Sequence, residues 1–201
     1  MTPRLVLASS SPRRAAILRQ LGLAPDVMPA RVDETYLADE TPEEHVERLA
    51  RGKAQSLSIS MNEPGALVIG GDTVVVDGRR VLGKPRSGDE AVNMLAGLAG
   101  RRHEVYSALA IAGAHGTVSG VARASVRFRP FDRALARRYV ETGEPSDKAG
   151  AYGIQGMGAA LVDAVDGDYY CVVGFPVSVF LQLLERAGWR YDFGGLTRLP
   201  V

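Results

Sequence analysis

The chain has 201 residues, of which 46% are hydrophobic and 23% charged, with a formal net charge of +1. That length can bury a sizeable core as one large domain or two small lobes, and the near-neutral balance gives no basis for bulk attraction to polymeric nucleic acid or an anionic membrane. The one cysteine, Cys171, excludes an internal disulfide and a multi-cysteine zinc site, and reads as buried filler in a reducing, cytoplasmic setting.

Residues 5–8 form an apolar run that predicts a buried strand, and Ser9, Ser10 and Ser11 lead from it straight into a helix. Ser11 suits the N-cap and Pro12 the first helical position; Ala15, Leu18 and Leu21 supply a core stripe, and Gly22 a stop. Arg13 and Arg14 then fall in the first turn, where the helix dipole disfavours cations. An anion there would resolve the conflict, because free N–H groups, serine hydroxyls and two guanidinium groups make a phosphate cradle. A capped surface helix with two solvated arginines fits this segment equally.

Thr41-Pro-Glu-Glu44 is a capping box and predicts a helix over about 42–58. A strand over 67–76 turns at Asp77-Gly78 into a short partner reaching Leu82, and 88–98 reads as a helix ending at Gly100. Strands follow over 105–112 and 118–128, then a helix over 132–141 and a glycine-rich stretch over 143–158. Residues 159–165 and 169–173 read as a hairpin turning at Gly167-Asp168. Phe175-Pro176 opens an amphipathic helix stopped by Gly188, and the tail from residue 189 carries no clear signal. There is no repeat, linker, signal-peptide pattern or bilayer-length apolar run. Alternating helices and hairpins imply a single α/β domain over 1–201, two-lobed, with a mixed β-sheet flanked by helices.

Some charged residues stand where apolar ones belong. In the 42–58 helix, Lys53 falls near the middle of the stripe made by Val46, Leu49, Ala50 and Leu57. It must meet an anion there, or snorkel where the stripe passes the rim of the core. Asp72 lies between Leu67-Val-Ile69 and Val74-Val-Val76, after Gly70 and Gly71. An ionised carboxylate there needs a metal, a basic partner or a chemical task; a bulge with Asp72 capping a neighbouring helix is the structural alternative. Asp33-Glu34 offers hard oxygen ligands, Lys84 is kept extended by Pro85, and Gln155 sits in a loop framed by Gly153 and Gly156. Together they supply what phosphoanhydride hydrolysis needs: cations for pyrophosphate, carboxylates for a hard metal, a base for water, and an amide to read a nucleobase.

Ala8-Ser-Ser-Ser-Pro-Arg-Arg14, Asp33-Glu34, Lys53-Ala54, Gly71-Asp72-Thr73, Gly83-Lys84-Pro85 and Asp147-Lys-Ala-Gly-Ala-Tyr-Gly-Ile-Gln-Gly156 resemble the motifs of the Maf family of nucleoside triphosphate pyrophosphatases. Gly167-Asp-Tyr169 and Val173-Gly-Phe-Pro176 extend the match, in order, over nearly the whole chain. The resemblance implies an inosine triphosphate pyrophosphatase-like fold and a homodimer. It also implies hydrolysis to monophosphate and pyrophosphate with Mg2+ or Mn2+, a house-cleaning role, and a link to arrest of septum formation. Arg13, Thr73 and Gln155 match the branch acting on dTTP and UTP; the sister branch acting on 7-methyl-GTP typically has tryptophan and glutamate at the first and last of these. By the same resemblance Asp72 accepts the proton from water, and Arg13, Arg14, Lys53 and Lys84 hold phosphate oxygens with Ser9, Ser10 and Ser11. Glu34, with or without Asp72, binds the metal; whether Asp72 is base or ligand stays open. The departures are Gly71, where alanine is usual, and Phe175, where leucine is common.

Two other readings share these features. Sugar nucleotidyltransferases also cradle a triphosphate after a strand and a small-residue loop, although theirs is usually glycine-rich. A nucleotide-binding regulator of cell division without turnover would keep the cradle but not need Asp72.

Overall fold

A computed structural model describes residues 2–200. The first apolar run becomes β1 (Arg4–Leu7), which pairs in parallel on both sides, with β2 (Asp26–Val27) and with β3 (Ala66–Asp77). Neighbours on both edges and both faces leave Val6 and Leu7 with no exposed surface, which is why the run is apolar throughout rather than alternating. β3 turns through Gly78 into antiparallel β4 (Arg80–Leu82). Both β5 (Arg102–Gly113) and β6 (Gly116–Phe128) are longer than their apolar cores suggest, since their hairpin tips and entry residues continue the pairing.

The chain forms two compact units, and β3, β5 and β6 each contribute residues to both. One unit comprises the segment ending at Asp72, Ser107–Ala122, and the segment from Gly174 onward; its strand order is β2-β1-β3-β5-β6. Its helices are α1 (Pro12–Gln20), α2 (Pro42–Met61) and, near the end of the chain, a third that packs Phe180, Leu183 and Leu184 inward. Thr41 caps α2 through the reciprocal box read from the sequence: its hydroxyl accepts the Glu44 N–H, and the Glu44 carboxylate accepts the Thr41 N–H.

The other unit comprises Thr73–Tyr106 and Arg123–Val173, with strand order β4-β3-β5-β6-β7, where β7 is Val162–Gly167. Here α3 (Gly88–Leu98) packs on α4 (Arg133–Glu141), and the glycine-rich stretch folds into short 3-10 turns. His103, Phe128 and Tyr152 meet edge-to-face in its core.

The structure departs from one expectation and adds one element in a segment that carried no signal. Residues 159–165 and 169–173 are not a hairpin: β7 pairs with β6, and the second segment is helix α5 (Tyr169–Val173). Asp168 is the cause, because its side chain accepts the Tyr170 N–H at 2.8 Å and its carbonyl the Cys171 N–H, which starts a helical turn. Beyond α6 (Val177–Arg186), the unassigned tail is an antiparallel hairpin of β8 (Trp189–Asp192) and β9 (Gly195–Arg198), tied to α1 by the Tyr191 hydroxyl donating to the Leu21 carbonyl.

Candidate active site

The site in the first unit begins with Gly70. A Cβ built on Gly70 would overlap the Ala50 carbonyl oxygen and stand 2.7 Å from the Ala54 nitrogen. Strand β3 therefore lies directly on the backbone of α2, and only glycine permits that approach. The contact sets Lys53, next to Ala54, beside Asp72, two residues beyond Gly70. The Lys53 ammonium meets Asp72 Oδ1 at 2.7 Å and Glu34 Oε1 at 2.7 Å. The Lys53 and Asp72 side chains are 10% and 14% exposed, whereas Glu34 is 62% exposed. The lysine on the apolar stripe is thus paired with the carboxylate inside the apolar strand, so neither charge is buried alone.

The end of β1 delivers a second group of residues. Ser11 occupies the N-cap of α1, but its side chain makes no capping bond. The buried Ser9 hydroxyl oxygen instead accepts the N–H of Ser11 itself at 3.2 Å and the Arg14 Nη1 at 2.9 Å. Arg14 turns inward, donates from Nε to the Gly174 carbonyl at 2.8 Å, and is buried. Burial pulls its pKa below the ordinary arginine value, Asp72 and Glu34 oppose that shift, and Arg13 adds to it. Ser10 is exposed and Arg13 half-buried. Ser9, Arg14, Glu34, Lys53 and Asp72 form one hydrogen-bonded and electrostatically coupled cluster, with Arg13 at its margin.

The segment holding Glu34 has no regular structure and is anchored by residues that sequence reasoning did not single out. Arg48 donates to the Thr35 carbonyl at 2.9 Å and makes a two-point ion pair with Glu40. His45 Nδ1 lies 2.9 Å from the same carboxylate, and the Tyr36 ring stacks on the His45 ring at 3.8 Å. Arg48 pulls the Glu40 pKa down to about 2, with His45 and the Leu37 N–H helping against burial. The only sequence signal was that His45 and Arg48 lie three apart on α2, a spacing common on solvated helix faces.

Thr73, Lys84 and Gln155 belong to the second unit. Thr73 follows Asp72 along β3 and is half-buried; Lys84 is exposed just past β4, where the preceding Gly83 carbonyl accepts the Gly150 N–H at 3.1 Å. Gln155 is exposed, between the buried Ile154 and the exposed Gly156.

Glu34 and Asp72 suit a hard divalent cation, since magnesium takes one or two carboxylates and completes its shell with water and phosphate oxygens. Among the described residues no third histidine, cysteine or acidic side chain joins them into a self-sufficient metal cluster. No helix is long and apolar enough to cross a membrane among those residues.

The Maf-like protein family pattern matches residues 4–187. The dTTP/UTP pyrophosphatase of Symbiobacterium thermophilum is 46% identical over 192 residues, covering 96% of this chain and 98% of that protein. The proteins of that name from Anaeromyxobacter dehalogenans strain 2CP-1 and Moorella thermoacetica are each 48% identical, over 94% and 92% of this chain and 96% and 95% of their own. A looser structural match, to the Ham1 protein of Staphylococcus aureus, covers 62% of this chain and 71% of that one at 18% identity and a TM-score of 0.43.

Proposed function

This chain belongs to the Maf family, and we propose that it is a nucleoside triphosphate pyrophosphatase acting on dTTP and UTP. The observation that carries the reading is the Asp72 carboxylate held at 2.7 Å by Lys53 within a cluster that also contains Arg14 and Ser9. Lys53 engages Oδ1 at 2.7 Å, and Oδ2 takes the proton from water. The water oxygen forms the new P–O bond, the phosphoanhydride bond breaks, and the electron pair leaves with pyrophosphate. Lys53, Arg13 and Lys84 offset the charge that grows on the phosphate oxygens, assisted by N–H groups at the start of α1. Arg14, two of whose donors are committed, sets the position of Ser9.

Glu34 would hold the Mg2+ or Mn2+ that the family resemblance implies, with water completing its shell. The bound cation supplies charge neutralisation for the leaving group. Gln155 reads the O4 and N3–H edge shared by uracil and thymine, having one acceptor and one donor to offer. The roles of Lys84 and Gln155 rest on the family resemblance. The same reading has the protein act in the cytoplasm as a homodimer, clearing surplus or modified pyrimidine nucleotides.

The test is a panel of canonical and modified nucleoside triphosphates with Mg2+ and separate readouts for phosphate and pyrophosphate. Expected are the highest kcat/KM values for dTTP and UTP, with pyrophosphate as the inorganic product. A requirement for a sugar phosphate would point to a nucleotidyltransferase, and tight binding without product to a regulator; either result overturns the proposal.

A further inference from the structure

The loop carrying Gln155 is braced by two residues that have no direct part in the reading above. Tyr139, on α4, is buried, and its hydroxyl oxygen accepts the Gly153 N–H at 3.0 Å. That hydroxyl donates in turn to Glu144 Oε1 at 2.8 Å. Glu144 Oε1 also accepts the Gly158 N–H at 3.1 Å, and Oε2 accepts the Met157 N–H at 2.8 Å. One phenol and one carboxylate thus hold the loop before and after Gln155, which projects from the span between the anchor points.

The absence of side chains at residues 156 and 158 fits this arrangement. A Cβ on Gly156 would overlap the Glu144 carboxylate and stand 2.7 Å from its carbon; one on Gly158 would stand 2.5 Å from the Tyr139 hydroxyl. The loop backbone lies flat against the brace. Burial pushes the Glu144 carboxyl up, but the three donors outweigh it and hold it below the usual carboxylate range. Glu144 is therefore ionised at neutral pH, and both of its oxygens are free of protons and able to accept.

We propose that Tyr139 and Glu144 are positioning residues for base selection: they fix the loop so that the Gln155 amide meets the pyrimidine edge in one orientation. The inference rests on the reading of Gln155 as the base-reading residue. An amide reader discriminates only if it is held, because a loop free to shift or turn the amide over can present donor and acceptor in the opposite order. Cytosine presents that opposite order, with an N4 amino group in place of O4 and a bare N3 in place of N3–H. The brace therefore matters most for rejecting cytosine.

The perturbations are Glu144→Gln, which puts an NH2 group where one backbone N–H or the tyrosine hydroxyl now donates, and Tyr139→Phe, which strands the Gly153 N–H. The readout is the ratio of kcat/KM for UTP over CTP, which does not depend on the fraction of enzyme folded. A merely structural brace would lower both values together. Each variant is expected to reduce the ratio about tenfold, in the range that a misplaced polar contact costs a selective site, with KM for UTP rising more than kcat falls. Gln155→Ala is measured beside them, alone and combined with Glu144→Gln. A lowered ratio in each single variant, with no further fall in the double, supports the proposal. A ratio unchanged in Glu144→Gln and Tyr139→Phe but lowered in Gln155→Ala overturns it and leaves the reading of Gln155 standing. Additive losses overturn the claim that the brace acts through Gln155, and a ratio unchanged in every variant overturns both. If Glu144→Gln fails to fold, Tyr139→Phe decides alone.

Discussion

Gly70 and Gly71 are neighbours in β3, yet adding one methyl group to each should have opposite consequences. At Gly70 the new Cβ would overlap the Ala50 carbonyl and lie 2.7 Å from the Ala54 nitrogen and 3.1 Å from the Ala54 Cβ. Two of these three neighbours are helix backbone, which cannot rotate aside. Ordinary contact would require β3 and α2 to part by roughly 1 Å, at the upper end of the ~1–3 kcal/mol typical of overpacking. The same movement would stretch the 2.7 Å Lys53–Asp72 pair beyond hydrogen-bond reach. At Gly71 the neighbours are Leu109 Cδ2 at 3.0 Å, Arg14 Nε at 3.2 Å and the Ala108 carbonyl at 3.3 Å. Two of them are side-chain atoms that can yield a few tenths of an ångström. The loss of unfolded-state freedom, about 0.4–1 kcal/mol for Gly→Ala, offsets the strain. Gly70→Ala is therefore expected to lose about 2–3 kcal/mol of stability by urea denaturation and most of its pyrophosphate release from UTP. Gly71→Ala should stay within about 0.5 kcal/mol of the parent and remain active. Equal stability in the two variants, or a Gly70→Ala enzyme with unimpaired turnover, would refute the idea that backbone contact at Gly70 assembles the cluster.

Gln155→Glu should lower the kcat/KM ratio of UTP over 7-methyl-GTP, because a carboxylate repels O4 and accepts the N1–H and N2–H of a guanine-type edge; an unchanged ratio would leave Gln155 as a loop-bracing amide. Lys84→Ala should reduce kcat/KM with little change in denaturation midpoint, since Lys84 is exposed; a large loss of stability would argue for a structural lysine. His103 is buried, with Nε2 2.9 Å from the Tyr152 hydroxyl, and burial lowers its pKa from 6.5 to about 4. The unfolded chain thus takes up this proton first, and stability falls as the pH drops from about 6.5 to about 4, by up to ~3 kcal/mol. Denaturation curves should show the slope in the parent between about pH 6.5 and 5, above the range where the carboxylates titrate, and His103→Phe should flatten it there.

Much of the fold was legible because local signals agreed with tertiary packing. The Thr41–Glu44 box and the apolar run of β1 each have one economical explanation, and the structure adopts it. The segment from residue 159 to residue 173 misled because its residues, rich in alanine, valine and tyrosine, suit a strand as well as a helix; the Asp168 side chain decided between them. The terminal hairpin was invisible because Phe193 and Gly194 mark a turn only once β8 and β9 are known to pair. In the site, Lys53 and Asp72 were conspicuous as charges in apolar surroundings. That they answer each other could not be read from the sequence, because it depends on how closely β3 approaches α2. Glu40, His45 and Arg48 were overlooked because charged residues near a helix start are ordinary, and only the fold returns Glu40 to meet the other two.

In the proposed mechanism Asp72, held by Lys53, activates water against a nucleoside triphosphate. Phosphorus NMR of UTP incubated with Mg2+ and either the parent protein or Asp72→Asn tests it most directly. The substitution keeps the shape and an acceptor for Lys53 while removing the base, which typically contributes on the order of 10²–10⁴-fold. The parent should yield UMP and pyrophosphate in equal amounts, and Asp72→Asn, folded and still able to bind UTP, should yield them at least about a hundredfold more slowly. Near-equal rates in the two proteins would mean that Asp72 is not the base, and UDP and phosphate as products of the parent would mean that the enzyme is not a pyrophosphatase.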